Sequence, residues 1–110
     1  CQQKGDFKSV SAEEFSSIIA NPDVQRLDVR TVAEYSEDHI PGSININVLD
    51  KEFPAMADST LQKEKPVALY CRSGKRSKKA AAILSAKGYI VYDLDEGFEG
   101  WKKAGKETEK

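Results

Sequence analysis

Residues 66–77 read PVALYCRSGKRS, and this stretch decides the fold class of the chain. The apolar run 66–70 is typical of a parallel strand that is buried on both faces of a sheet. Cys71 follows the strand directly, and Gly74 permits a sharp turn shortly afterwards. A helix that ends near Gly88 is predicted next, because apolar residues then recur on one helical face: Ala80, Ala81, Ile83, Leu84 and Ala86.

Strand and helix signals alternate on both sides of this stretch. Ser11 and Thr31 are each followed three residues later by Glu, the capping-box pattern, and predict one helix up to about residue 20 and a second, short one. The remaining predicted elements are strands at 24–29, 44–48 and 90–94, a helix within 50–61 and a helical turn from residue 97. This alternation predicts an α/β fold with a mainly parallel sheet covered on both faces.

The composition indicates one ordinary globular domain. The chain has 110 residues, of which 39% are hydrophobic and 32% charged, and its formal net charge is -1. A nearly neutral chain gives no basis for nucleic-acid binding. Its apolar runs fall well short of the roughly 18 residues that span a bilayer. We expect a polar tether at 1–6, a monomeric domain at 7–105 and a charged, frayed tail at 106–110.

The two cysteines, Cys1 and Cys71, are too few for a disulfide framework. A chain that starts at Cys has been processed or trimmed there, as bacterial lipoproteins are when their signal peptide is removed. We therefore expect Cys1 to carry a lipid that attaches the domain to the membrane of the cell envelope, facing the periplasm. A trimmed cytoplasmic protein is the alternative.

Cys71 has the sequence context of a reactive thiol. In open α/β sheets, ligands bind beyond the carboxyl ends of the strands, where Cys71 is placed. The helix after it presents unpaired N–H groups, which favour a thiolate. Three cations, Arg72, Lys75 and Arg76, follow within five positions. Such a thiolate needs no general base, and the only histidine, His39, lies in another segment. The competing interpretation of Cys71 is an inert, buried small hydrophobic residue.

Four motifs, in order, resemble the rhodanese family. They are CRSGKRS at 71–77, which is similar to the active loop, LDVR at 27–30, HIPGSI at 39–44 and GFEGW at 97–101. The resemblance covers nearly the whole domain. It implies the rhodanese-like three-layer fold, in which helices flank a parallel five-stranded sheet.

The resemblance also implies a reaction: Cys71 takes a sulfane sulfur from a small anionic donor such as thiosulfate and passes it, as a persulfide, to a thiol or cyanide. No metal or other cofactor is implied. Asp28 and Arg30 are interpreted as structural polar residues, His39 as a hydrogen-bonded loop residue and Trp101 as a core residue. The implied active loop comprises Cys71, Arg72, Ser73, Gly74, Lys75, Arg76 and Ser77.

Two features depart from the family pattern. Lys75 stands where relatives often have a neutral residue, which leaves the donor preference open. Glu96 precedes Gly97 where a second Gly is frequent, and this predicts a less tight turn.

Two rival functions remain. Related phosphatases and arsenate reductases have five residues between Cys and Arg, whereas four separate Cys71 from Arg76, and the smaller ring suits one sulfur atom better than phosphate. The other rival is a non-catalytic rhodanese-like carrier, sensing or binding module, although such modules often lack the Cys.

Overall fold

A computed structural model describes residues 7–110 of the chain. The predicted tether at 1–6 and the expected lipid site at Cys1 lie outside the described residues. Within them, every helix is too short or too polar to cross a membrane.

Five strands and five helices alternate along the described chain. Their bounds are β1 Lys8–Val10, α1 Ala12–Ile19, β2 Gln25–Asp28, α2 Val32–Glu37, β3 Ile44–Asn45, α3 Phe53–Thr60, β4 Val67–Tyr70, α4 Lys75–Ala86, β5 Val91–Leu94 and α5 Gly97–Lys103. Both predicted N-caps form, since Ser11 and Thr31 accept hydrogen bonds from the main chain of Glu14 and Glu34.

The strands form one parallel sheet in the order β1-β5-β4-β2-β3. This confirms the predicted α/β fold with a five-stranded parallel sheet. Strand β4 lies in the middle, and all four of its residues are buried. Its carboxyl end, where Cys71 begins, is therefore flanked by the ends of β5 and β2.

Alternate residues of β4 point into two separate cores. Val67, Leu69 and then Cys71 belong to the core under α3 and α4, whereas Ala68 and Tyr70 belong to the core under α1 and α5. The two helix layers around the sheet confirm the three-layer arrangement. They also place the Cys71 side chain on the α4 side.

Two strands differ from the sequence-based expectation. The residue patterns did not predict β1, which is three residues long and has two exposed positions. Strand β3 covers only Ile44–Asn45 instead of 44–48. Beyond it, the amides of Ile46 and Val48 still donate to the carbonyl groups of Asp28 and Val29, so the segment stays attached to the sheet edge without forming a regular ladder.

The prediction of a frayed tail is wrong. Glu109 and His39 exchange two main-chain hydrogen bonds of 2.8 Å, and the Glu109 carboxylate accepts the amide of Gly42. The indole of Trp101 donates to the carbonyl of Glu107 at 2.7 Å. Glu107 and Glu109 therefore hold the tail against the domain, Glu109 through partners that are distant in sequence.

Candidate active site

Cys71 lies under the loop that joins β4 to α4. Its residue has no exposed surface, and its Sγ accepts the main-chain N–H of Gly74 at 3.1 Å. The loop therefore aims at least one main-chain hydrogen-bond donor at the sulfur of Cys71.

Gly74 gives the loop its shape. Its φ angle is +100°, and a Cβ built there would lie 2.0 Å from the main-chain oxygen of Asp95. Only glycine combines this left-handed conformation with so close a contact. Gly74 is also the residue from which α4 starts. The turn, the hydrogen bond to Sγ and the helix start thus all depend on one residue.

The predicted loop residues divide by exposure. Ser77 is buried in the first turn of α4, and its hydroxyl has no hydrogen-bond partner among the described residues. Arg76 is half-buried, whereas three side chains face solvent: Arg72, Ser73 and Lys75. The exposed cations, Arg72 and Lys75, lie at the rim of the loop, whereas the buried Gly74 and Ser77 pack beneath it.

The start of α5 holds the loop from the other side. The amides of Phe98 and Glu99 donate to the carbonyl groups of Cys71 and Arg72 at 2.8 and 3.0 Å. A Cβ at Gly97 would lie 2.5 Å from the Arg72 carbonyl oxygen, so this contact too requires glycine. Glu96 has φ of -90°, which any residue adopts. The turn therefore forms with Glu96 at this position and does not require the second glycine that is frequent there in the family.

Arg76 connects the loop to α2. Its guanidinium donates to both carboxylate oxygens of Glu34 at 2.8 and 3.0 Å. Glu34 also accepts the Thr31 amide and completes the capping box of α2. Hydrogen bonds from Arg76 and, to a smaller extent, from Thr31 lower the pKa of Glu34, whereas its partial burial raises it. The hydrogen bonds have the larger effect, and the pKa falls to about 2. Glu34 is therefore ionised, and the pair fixes the far end of the loop.

We expect Glu34→Gln to lower the free energy of unfolding by about 1–2 kcal/mol near neutral pH, because the half-buried Arg76 loses its counter-charge. The pKa of Glu34 is lower in the folded than in the unfolded protein, so its stabilising effect is complete above about pH 4.5 and disappears as the pH falls to about 2. Urea unfolding at several pH values should show the gap between wild type and variant narrowing over that interval.

Glu37→Gln is the matched control, because Glu37 lies on the same helix, is exposed and has no salt-bridge partner among the described residues. If Glu37→Gln lost as much stability as Glu34→Gln, the role of the ion pair would be contradicted. The same holds if the stability difference between wild type and Glu34→Gln did not change with pH.

Asp28 and Arg30 form a buried pair at the end of β2. Arg30 donates to both Asp28 oxygens and, through Nη2, to the carbonyl of Asp38 at 2.7 Å. Burial lowers the pKa of Arg30, but Asp28 outweighs burial and the pKa rises overall. The guanidinium lies 4.4 Å from the ring centre of Phe98. The pair thus joins three segments around the loop.

The loop at 39–44 is held by buried partners. His39 is hydrogen-bonded through both ring nitrogens, to the Tyr35 carbonyl and the Glu109 carboxylate, which confirms its predicted role. The Tyr70 hydroxyl accepts the Ile40 amide, and burial raises the pKa of Tyr70. Trp101 packs edge-on against Phe15, which confirms it as a core residue.

An open pocket of about 800 Å³ lies beside the active loop. Its walls carry Arg30, Glu34, Glu37, Asp38, Arg72, Glu96, Phe98, Glu99, Gly100, Lys102 and Lys103. Arg72, the residue after Cys71, connects the pocket to the loop, and its Nε lies 3.2 Å from the Glu99 carboxylate. The pocket is lined by charges of both signs and reaches the loop at Arg72, whereas Cys71 itself is not part of its wall.

Known proteins resemble this chain in sequence. A family model described as the rhodanese-like domain matches residues 11–104. The thiosulfate sulfurtransferase GlpE of Coxiella burnetii is 35% identical over 98 residues, which are 87% of this chain and 88% of that protein. The tRNA sulfurtransferase of Desulfurococcus amylolyticus is 32% identical over 97 residues, 88% of this chain and 18% of that protein.

Solved structures agree with the sequence comparisons. The rhodanese-like domain of an Anabaena protein has a TM-score of 0.81 at 26% identity and covers 94% of this chain and 80% of its own. A rhodanese-related protein of Thermoplasma volcanium has a TM-score of 0.79 at 28% identity, with 94% and 98% covered. With its fold and most of its length matched, the chain belongs to the rhodanese-like domain family.

Proposed function

We propose that the protein is a sulfurtransferase that moves sulfane sulfur from a donor such as thiosulfate to a thiol or cyanide through a persulfide on Cys71. The observation that carries the proposal is the hydrogen bond from the Gly74 amide to Sγ at the start of α4. The sulfurtransferase names of its relatives, GlpE among them, support the same reaction class.

In the first step, the Cys71 thiolate attacks the outer sulfur of thiosulfate. The new bond joins Sγ to that sulfur, the sulfur–sulfur bond of thiosulfate breaks, and its electron pair leaves with sulfite. The product is a persulfide anion on Cys71. The Gly74 amide is placed to stabilise negative charge at Sγ.

In the second step, a nucleophilic acceptor attacks the outer sulfur of the persulfide. Cyanide gives thiocyanate and a thiolate gives a new persulfide, while the electron pair of the broken bond returns to Sγ. Cys71 is restored as a thiolate, so neither step needs an added oxidant, reductant or metal. The exposed Arg72 and Lys75 side chains lie where they can attract an anionic donor.

Intact-mass spectrometry after incubation with thiosulfate tests the proposal. We expect the protein to gain one sulfur atom and to lose it when cyanide is added, with thiocyanate released. An unmodified protein would favour the non-catalytic module. Turnover of an aryl phosphate without any sulfur gain would favour the phosphatase alternative.

The rim cations provide a further prediction. We expect Arg72→Ala and Lys75→Ala each to lower kcat/KM for thiosulfate by about 3- to 10-fold, because each removes one charge that attracts the dianion. Both side chains are exposed, so the melting temperature should move by no more than about 2 °C. Steady-state kinetics and thermal unfolding of the same preparations measure the two effects.

Lys65→Ala is the control, since Lys65 precedes β4 and lies at the opposite end of the strand from Cys71. It makes the same charge change and should leave kcat/KM unchanged. If activity and thermal stability fell in parallel in the rim variants, the cations would be supporting the fold instead of attracting the donor.

A further inference from the structure

Behind the active loop, one ammonium group joins three oxygen atoms. Lys78, one turn into α4, donates through Nζ to the Gly74 carbonyl at 3.2 Å, to Asp93 Oδ2 at 3.1 Å and to Asp95 Oδ1 at 2.9 Å. Burial lowers the pKa of Lys78, but Asp95 and Asp93 outweigh it and the pKa rises overall. The group is therefore a cation that connects α4, the loop and the end of β5.

The Asp93 carboxylate explains why a cation is needed there. It has no exposed surface, and it belongs to β5, where Leu69 of β4 is its partner in the sheet. Besides Lys78, the hydroxyl of Ser9 donates to Oδ2 at 2.8 Å, while Oδ1 has no hydrogen-bond partner among the described residues. A buried carboxylate without a counter-ion is costly, so Lys78 is held firmly in place.

The network acts on the thiol through Gly74. The main-chain N–H of this residue donates to Cys71 Sγ, and its carbonyl accepts Lys78 Nζ. Leu69 and Asp93 are partners in neighbouring parallel strands. Cys71 and Asp95 each lie two positions further along, so they follow the adjacent ends of β4 and β5. Lys78 therefore connects Gly74 to the strand end beside the one that carries the nucleophile.

We propose that Lys78 is a positioning residue for sulfur transfer, which fixes the main chain at Gly74 through its carbonyl so that the N–H of the same residue stays aimed at the sulfur of Cys71. The inference rests on the proposed function and adds a residue outside the seven-residue active loop. Lys78 does not contact the reacting sulfur in this arrangement. Its effect is on the geometry of the donor that does.

The test compares Lys78→Met with Lys79→Met, which removes the same charge from an exposed neighbour on the same helix. Single-turnover formation of the persulfide from thiosulfate is followed by rapid quenching and mass spectrometry. For Lys78→Met we expect the maximal rate to fall about tenfold or more, because a misaligned donor loses much of its effect. The half-saturating thiosulfate concentration should match that of Lys79→Met.

Two further variants separate positioning from folding. Lys78→Arg keeps a cation that can donate to the same oxygens and should recover most of the rate. In Lys78→Met the buried Asp93 carboxylate loses its cation, and the added change Asp93→Asn removes that charge. The double variant should therefore recover stability, while its maximal rate stays low.

Equal maximal rates in Lys78→Met and Lys79→Met would overturn the inference, as would full recovery of the rate in the double variant. Neither result affects the proposed function, which fails only if the wild-type protein forms no persulfide.

Discussion

Replacing Cys71 with serine is expected to lower sulfur transfer from thiosulfate about a thousandfold or more, because a hydroxyl cannot serve as the sulfur-accepting nucleophile. The change is small in volume and keeps an acceptor for the Gly74 amide. We therefore expect the variant to remain folded, with unfolding behaviour close to that of the wild type. Thiocyanate production and the intact mass after thiosulfate treatment measure the loss.

Cys1→Ser is the matched control for this variant, since the chain has two cysteines. It should retain wild-type transfer and still gain one sulfur atom. Residual transfer in Cys71→Ser close to the wild-type rate would show that sulfur is carried elsewhere and would contradict the role of Cys71.

The second large effect is expected for Gly74→Ala. A methyl group would meet the main-chain oxygen of Asp95 at 2.0 Å, and the residue would have to keep φ of +100°. Strain and overlap together should lower the free energy of unfolding by at least about 3 kcal/mol. The folded fraction should also transfer sulfur about a hundredfold more slowly, because relief of the overlap moves the amide that faces Sγ. Chemical denaturation measures the free energy of unfolding, and single-turnover kinetics measure the rate of sulfur transfer.

Gly88→Ala separates strain from overlap. Gly88 has nearly the same φ, +101°, at the other end of α4, but nothing lies within 4 Å of a Cβ built there. Its substitution should cost only about 1–2 kcal/mol and leave the transfer rate unchanged. Equal losses in the two variants would mean that the contact with Asp95 contributes nothing.

The central strand and the position of Cys71 directly after it were predictable from sequence, because their signals are local. Strand β4 is buried on both faces, so all its residues are apolar or aromatic, and Cys71 follows at once. The caps at Ser11 and Thr31 were predictable for the same reason, since each involves residues only three positions apart.

The missed features depend on contacts between distant segments. Strand β1 has only three residues, and it is a strand because Lys8 pairs with Tyr92 across the sheet. The ordered tail depends on His39, which lies 70 positions from Glu109. No local pattern marks such pairings, so only the family resemblance supplied the fifth strand.

Part of the candidate active site could not be predicted from sequence for the same reason. Gly97 belonged to a recognised motif, but its close approach to Arg72 follows from the packing of α5 against the loop. Lys78 is one of several lysines on α4, and its partner Asp93 is a polar residue within a strand, so no local pattern singles out either residue. A buried carboxylate is the signal that points to Lys78, and burial becomes visible only in the folded chain.

The loop around Cys71 is held mainly by peptide groups: the Gly74 amide on the sulfur and the Phe98 and Glu99 amides on the carbonyl groups of Cys71 and Arg72. The backbone frame thus persists when outward side chains are exchanged. Side chains at positions 72, 73 and 75 can therefore change without disturbing this frame, and under the proposed function such surface mutations would alter the preferred sulfur donor or acceptor while the chemistry at the thiol stays the same.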